Sequence, residues 1–185
     1  MSRTRKITAD EILDAAERVV VREGAAGLSI DAVAREAYVS KSRVVYDHKT
    51  KSALLEALID RRVQAELERT RKSVEENADT PHPELFGRIA TSERVMDETE
   101  RAVAMAVTAS MSKEVKIQQQ IRDWVLTDLK AMESGPRPKA AFMAYLALSG
   151  FCCMELFGFH EWQEAERHKI LDGVRAIYAS YPENA

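Results

Sequence analysis

Three consecutive residues, Lys41, Ser42 and Arg43, combine positive charge with hydrogen-bond donors. Ser40 directly precedes them, and serine often caps a helix because its hydroxyl accepts a bond from a free amide of the first turn. Lys and Arg on the first turn of a short helix can contact the base edges or phosphates of DNA. The spacing therefore indicates a nucleic-acid contact, although an ordinary helical hairpin with a solvated basic turn fits these residues equally well.

The sequence offers no comparable support for an enzyme. The four histidines have no metal-ligand spacing with the two cysteines. No phosphate-binding loop, GxSxG motif or HExxH motif is present. Acidic residues are numerous, but they follow polar helix faces, where solvation explains them. We therefore expect no catalytic site, no metal and no cofactor.

A short helix is predicted just before the basic turn. Ser29 can cap it, and Ile30, Val33, Ala34 and Ala37 follow at the spacing of one apolar helix face. Tyr38 then interrupts the pattern. The two short helices and the turn between them have the layout of a helix-turn-helix.

A longer helix precedes this pair. Thr8 and Glu11 have the spacing of a capping box, and Gly24 suits the end of the helix. Its apolar stripe consists of Ile12, Leu13, Ala16, Val19 and Val20. The arm before it carries Arg5 and Lys6, which can lie along the DNA backbone. Three short helices with facing apolar stripes predict a small bundle.

The composition fits a globular, helical chain. Hydrophobic residues make up 45% and charged residues 31% of 185 residues, which is enough apolar surface for a packed core. Seven Gly, five Pro and no alternating β-branched runs argue against strands. The net charge of −3 is unevenly distributed, because residues 1–51 hold ten Lys and Arg against eight Asp and Glu. A positive end suits an anionic partner.

The cysteines, Cys152 and Cys153, are adjacent in an apolar segment. Neighbouring side chains on a helix diverge by roughly 100°, so a disulfide between them is not expected. We interpret them as small buried core residues, with a redox sensor as the less favoured alternative. The first residues lack the apolar run of a signal peptide. A cytoplasmic protein fits these observations.

Beyond the small bundle, the periodicity predicts helices throughout. Thr50 can cap a long charged helix, which leads into a turn-rich segment. The predicted segments are a helix over 51–76, a linker over 77–83, helices over 84–97, 99–110 and 113–132, a linker over 134–139, and helices over 140–159 and 162–181. We predict an all-α fold of about nine helices. It comprises a head (residues 1–51), a connecting helix and a body (residues 77–185).

The most apolar run extends from Ala140 to Met154 and ends at Glu155. It is shorter than the roughly 18–20 residues that a membrane span needs, so we expect no membrane insertion. A helix that is apolar all round must be covered on both sides, which with the last helix predicts a dimer through a four-helix bundle. The predicted interface residues are Phe151, Met154, Glu155, Phe157, Leu171, Val174 and Tyr178. For Glu155, an arginine partner, a dimer edge and a cationic ligand stay open.

Residues 7–59 resemble the DNA-binding head of the tetracycline-repressor (TetR) family of bacterial regulators. Four elements carry the resemblance: the IL-x-AA pattern of the first helix, the turn at Gly24, the A-x-VSK segment from Ala37 to Lys41, and the K-x-ALL segment from Lys51 to Leu55. It implies a one-component transcriptional regulator, expected to be a repressor. Such a protein binds palindromic operator DNA as a homodimer and is released by a small-molecule effector.

The resemblance also implies site residues. We expect Lys41, Ser42 and Arg43 to read bases, with Arg43 giving each half-site a G·C preference. The full predicted DNA-binding set is Arg5, Lys6, Ser29, Ser40, Lys41, Ser42, Arg43, Tyr46, Lys49 and Lys51. The predicted effector-binding set is Met96, Met105, Met111, Trp124, Phe142, Met143 and Tyr145. For the effector set, an ordinary hydrophobic core is the stronger interpretation.

Three positions depart from the family pattern. Tyr38 stands where the family has Gly in the turn, at a cost of about 1 kcal/mol if φ stays positive. Val45 stands where the family has a phosphate-binding tyrosine, and Tyr46 follows one place later. His48 replaces a buried aromatic residue, so a neutral, hydrogen-bonded core histidine is expected. These departures leave an alternative, a helical ligand-binding or protein-interaction dimer whose head no longer binds DNA.

Overall fold

The computed structural model describes residues 7–111 and 115–183, apart from the side chains of residues 110, 111 and 117. Within these ranges the chain forms helices and no strand, which confirms the all-α prediction. The helices are α1 (Ala9–Gly27), α2 (Ile30–Glu36), α3 (Lys41–Asp47), α4 (Lys51–Glu76), α5 (Pro83–Thr91), α6 (Glu98–Met111), α7 (Val115–Glu133), α8 (Pro138–Phe157) and α9 (Glu164–Ser180). The α4 bounds agree with the predicted helix over 51–76.

The chain forms two compact units. The N-terminal unit contains residues 1–64 and 96–117, and the C-terminal unit contains residues 65–95 and 118–185. This grouping differs from the predicted division, because α6 belongs with α1–α3 rather than with the body. Within the N-terminal unit, α1 packs against α2 and α6. The side chains of Arg62 on α4 and Glu100 on α6 form an ion pair of 2.8 Å there.

A capping box explains where α1 begins, and a glycine interrupts it near its end. The amide of Thr8 donates to Glu11 Oε2 at 2.8 Å, and the amide of Glu11 donates to Thr8 Oγ1 at 3.2 Å. Gly24 has φ 66° and interrupts the helical backbone three residues before Gly27. The predicted capping box is therefore confirmed, whereas Gly24, the predicted stop, forms a kink inside α1, which ends at Gly27 with Leu28 as its C-cap. Side chains at the centre of the N-terminal unit include those of Ile12, Val19, Val33, Val44, Leu54, Leu58 and Ile59, all almost fully buried.

The predicted helix over 84–97 is shorter in the structure. α5 ends at Thr91, with Ser92 as its C-cap. Asp97 begins a new helix, because its carboxylate accepts from the amide of Glu100 at 2.8 Å while its amide donates to Glu100 Oε2 at 3.0 Å. A reciprocal cap of this kind favours a helix start at this point over continuation of the preceding helix.

The core of the C-terminal unit is formed by α5, the end of α7, α8 and α9. Its buried side chains are Leu85, Ile89, Met132, Ala140, Ala141, Ala144, Leu148, Phe151, Leu171, Val174 and Tyr178. Four residues of this core were predicted to form the dimer interface, namely Phe151, Leu171, Val174 and Tyr178. Each is at most 4% exposed within the single chain. That part of the prediction needs correction, because the stripe is covered by the same chain.

Two faces of α8 have different surroundings. One face packs into the core just described, against α9 and α5. The opposite face carries large apolar side chains that are at least 36% exposed: Phe142, Met143, Leu146, Met154 and Phe157. By length and composition α8 is the one helix of the described chain that would suffice to cross a membrane, with mean hydropathy 1.7. A single helix of this kind is weak evidence for a span, since apolar core helices share the same composition.

Candidate nucleic-acid interface

The two short helices α2 and α3 are each fixed at the start by a serine. Ser29 Oγ accepts from the amide of Ala32 at 3.1 Å, and Ser40 Oγ accepts from the amide of Arg43 at 3.3 Å. Val44 is fully buried and anchors α3 in the N-terminal unit. Both predicted serine caps are confirmed. The serine hydroxyls are occupied by these caps, so their first role is to set where each helix begins.

The turn between α2 and α3 contains Tyr38 with φ 55°, the one positive φ of a non-glycine residue in the described chain. The amide of Val39 donates to the carbonyl of Ala34 at 3.0 Å across this turn. The turn thus keeps the left-handed backbone that suits glycine, at a cost of roughly 1 kcal/mol. The Tyr38 ring is 95% exposed and recovers little of that cost by burial.

The first turn of α3 presents Lys41 and Ser42 to solvent. Lys41 Nζ lies 3.0 Å from the carboxylate of Asp31 on α2, with both side chains more than 60% exposed. Ser42 Oγ lies 2.9 Å from Ser40 Oγ. Exposed ion pairs of this kind are weak and exchange readily with phosphate oxygens. Both side chains are therefore accessible to a partner.

Arg43 is oriented differently from the expectation of an outward-facing guanidinium. Its two terminal nitrogens donate to Asp47 Oδ2 at 2.6 Å and to the carbonyl of Ile7 at 3.0 Å. Its side chain is 23% exposed. Sequence reasoning missed Asp47, although its position four residues after Arg43 on a short helix is the spacing of an ion pair.

The remaining predicted DNA contacts lie on α3 and just after it. Tyr46 is 82% exposed, and Lys49 and Lys51 are exposed. Lys51 Nζ donates to the carbonyl of Ala26 at 3.2 Å. Thr50 Oγ1 accepts from the amide of Ala53 at 3.0 Å and so caps α4, as predicted. The predicted contacts Arg5 and Lys6 lie outside the described residues.

Comparison with known families fits this geometry. Residues 12–58 match the family model described as bacterial regulatory proteins, tetR family. Residues 88–178 match the model described as tetracyclin repressor-like, C-terminal domain. The chain belongs to the TetR family of transcriptional regulators. No protein of curated function has a significant sequence match to the chain.

Several solved structures, a TetR family member among them, share the fold of the chain. A TetR family member from Streptomyces coelicolor A3 is 19% identical with a TM-score of 0.68, over 89% of this chain and 96% of that one. A transcriptional regulator from Rhodococcus sp. Rha1 is 17% identical with a TM-score of 0.75, over 92% of this chain and 96% of that one. The multidrug binding protein EbrR, complexed with malachite green, is 21% identical with a TM-score of 0.65, over 89% of this chain and 96% of that one.

His48, which replaces the aromatic residue of the TetR pattern, is the C-cap of α3. Burial lowers the pKa of His48, and the nearby Asp47 carboxylate partly offsets that lowering. The lowered pKa agrees with the predicted neutral imidazole. The predicted hydrogen bond is not found at Nε2, which is buried without a partner among the described residues.

The predicted effector-binding residues do not form one described site. Met96 and Met105 belong to the N-terminal unit, and each is 40% exposed. Phe142 and Met143 lie on the exposed face of α8 rather than in its core. The side chain of Met111 lies outside the described residues.

Trp124 and Tyr145 are the half-buried members of the effector set in the C-terminal unit. The hydroxyl of Tyr145 donates to Asp128 Oδ2 at 3.1 Å, and Asp128 also pairs with Arg88. Burial, followed by the Asp128 charge, raises the pKa of Tyr145 to about 12. Tyr145 therefore stays a neutral hydrogen-bond donor at neutral pH.

Of the predicted interface residues, Met154 and Phe157 are on the surface. Glu155 pairs with Arg167, whose Nε lies 2.6 Å from Glu155 Oε1. Of the alternatives for this carboxylate, the arginine partner is the one found within the chain. Cys152 is half-buried and Cys153 is exposed, and both are free thiols. Burial raises the pKa of Cys152, which keeps it a protonated thiol at neutral pH.

Proposed function

We propose that the protein is a cytoplasmic transcriptional repressor that binds a palindromic operator as a homodimer and dissociates when an effector binds. The observation that carries this proposal is the exposed first turn of α3, capped by Ser40 and presenting Lys41 and Ser42 to solvent. In a helix-turn-helix, this turn enters the major groove of DNA.

Lys41 and Ser42 are the proposed base-reading residues. A lysine ammonium can donate to guanine O6 and N7, and a serine hydroxyl can donate or accept. Arg43, the third predicted base-reading residue, is left out because its guanidinium is turned inward. Phosphates are contacted by Tyr46, Lys49 and Lys51 in this proposal. Ser29, Ser40, Arg5 and Lys6 complete the phosphate-contacting set.

The proposed dimer interface is the exposed apolar face of α8. Contiguous apolar patches on a protein surface mark interaction sites, and a two-fold axis lets the same helix face meet itself. Met154 and Phe157 remain from the predicted interface, with Glu155 at its edge. Phe142, Met143 and Leu146 are added because they share the exposed face.

The proposed effector is an organic small molecule bound within the C-terminal unit. EbrR, which shares the fold, is described as a multidrug binding protein and has been solved with malachite green. Trp124 and Tyr145 offer an aromatic surface and a hydroxyl for such a ligand. Effector binding would lower the affinity for DNA by favouring a dimer whose two recognition helices no longer match successive major grooves.

Selection of bound sequences from a random duplex pool tests the proposal. We expect an inverted repeat whose half-sites lie about one helical turn apart. Lys51→Ala should weaken all sequences alike and reduce the salt dependence of binding, because a phosphate contact releases about one counterion. The matched control is Lys169→Ala, which removes an exposed lysine on α9. It should change neither the affinity for DNA nor the salt dependence of binding. If no duplex is enriched, the head does not bind DNA and the proposal fails.

A further inference from the structure

Groups of the N-terminal unit enclose the Arg43 guanidinium. Its terminal nitrogens donate to Asp47 at 2.6 Å and to the Ile7 carbonyl at 3.0 Å. The Tyr46 ring centroid lies 5.7 Å from Arg43 Cζ. A guanine contact by arginine needs two N–H donors directed at O6 and N7. In Arg43, one N–H of each terminal nitrogen is committed to these acceptors, and Nε is buried without a partner among the described residues, so the guanidinium points away from a base.

The surroundings of the Asp47 carboxylate also favour its ion pair with Arg43. It is the last residue of α3, where the partial negative charge of the helix end disfavours a carboxylate. Its side chain is 15% exposed, so solvent would compensate poorly for loss of the guanidinium. The Ile7 carbonyl would lose this donor as well. Transfer of Arg43 to a base therefore exchanges one set of charge-assisted bonds for another, with little net gain.

We infer that Asp47 is a specificity-determining residue, which holds Arg43 away from the DNA so that Arg43 reads no base. Arg43 instead bonds within the head, to Asp47 on α3 and to the carbonyl of Ile7 just before α1. This inference rests on the proposed function, because it presupposes DNA binding. It replaces the expectation that Arg43 gives each half-site a G·C preference.

Binding-site selection with variants of the full chain tests the inference. Arg43→Ala should leave the base preferences of the wild-type protein unchanged. Asp47→Ala should gain a guanine at one position of each half-site, preferred by roughly 5- to 100-fold, the range of a bidentate arginine–guanine contact. The double variant Asp47→Ala/Arg43→Ala should lose that new preference. A purely structural role of Asp47 would not produce a gain of this kind.

Asp47→Asn provides a second variant if Asp47→Ala folds poorly. It keeps the side-chain shape and one acceptor while removing the charge, so we expect a weaker guanine preference of the same kind. Thermal melting verifies that each variant used in the binding-site selection is folded.

The inference is overturned if Arg43→Ala relaxes a base preference of the wild-type protein. It is equally overturned if folded Asp47 variants select the wild-type sequences. If the wild-type protein itself selects no sequence, the proposed function fails and this inference fails with it. The two failures are therefore distinguishable.

Discussion

The ammonium of Lys41, on the first turn of α3, lies 3.0 Å from the carboxylate of Asp31 on α2. In the proposed DNA complex this carboxylate would compete with phosphates and bases for the lysine. Asp31→Asn should therefore strengthen binding to DNA of any sequence by roughly 2- to 5-fold, the range of an exposed ion pair. Fluorescence anisotropy titrations with operator and random duplexes measure this change.

Asp172→Asn is the matched control for Asp31→Asn. It removes the same charge from α9, where the carboxylate pairs with Arg175 at 2.9 Å. We expect no change in DNA affinity from this control. Equal strengthening by both variants would mean that overall charge, rather than release of Lys41, sets the affinity.

Tyr38 should destabilise the free protein. Its φ of 55° disfavours a side chain, and its ring is 95% exposed. Tyr38→Gly should raise the free energy of unfolding by about 1 kcal/mol, because glycine adopts this backbone without steric conflict. Tyr38→Ala should not raise the free energy of unfolding in this way, since alanine keeps the Cβ that conflicts with a positive φ. Urea denaturation of the three proteins measures the difference, and equal stability of the Gly and Ala variants would contradict backbone strain at this position.

His48 should make stability depend on pH. Burial lowers the pKa of His48 below its ordinary value of 6.5, so the folded state binds fewer protons than the unfolded state. The stability present at pH 7.5 should therefore fall as the pH drops below about 6.5 and level off below the folded pKa. Urea denaturation between pH 5 and 8 measures this dependence.

His48→Phe should remove this pH dependence of the free energy of unfolding and also stabilise the protein at pH 7.5. The gain is expected to be about 1 kcal/mol, because Nε2 is buried with no partner in the part of the chain that the structure describes and a phenyl ring carries no unsatisfied nitrogen. His168→Gln, at an exposed position on α9, should leave the pH dependence in place. A pH profile of His48→Phe identical to the wild-type profile would contradict the assignment.

The features that the sequence predicted correctly are local ones. Caps such as Thr8 with Glu11 depend on residue types three positions apart, which the sequence displays directly. The identity of the surface that covers an apolar stripe depends on residues far away in the sequence or in another molecule. The pattern around Leu171 requires a cover but does not say whether it comes from the same chain or a second copy. The orientation of Arg43 is likewise undetermined, because its spacing from Asp47 permits a pair without requiring one.

Arg167 should be a major stabilising residue of the C-terminal unit. It is 5% exposed and pairs with Glu155 at 2.6 Å. It also donates to the carbonyls of Ser92 and Glu93, each at 2.9 Å. Arg167→Leu should lower the free energy of unfolding by about 3 kcal/mol, because these acceptors lose a buried charged donor. Arg175→Leu, whose side chain is 33% exposed, should cost less than about 1 kcal/mol. Similar losses from both variants in urea denaturation would refute this ranking.

The exposed face of α8 should hold the dimer together. Leu146 is 46% exposed in the single chain, so a charge there is solvated in the monomer and desolvated only in the proposed interface. Leu146→Glu should weaken dimerisation by about 100-fold or more, because two carboxylates would be brought together away from water. Sedimentation equilibrium measures the association constant. Thr127→Glu, at an exposed position on α7, should leave it unchanged. In the proposed complex each head contacts one half-site, so the Leu146→Glu variant should also lose affinity for the full operator while keeping its weaker affinity for a single half-site. An unchanged dimer would exclude this face as the interface.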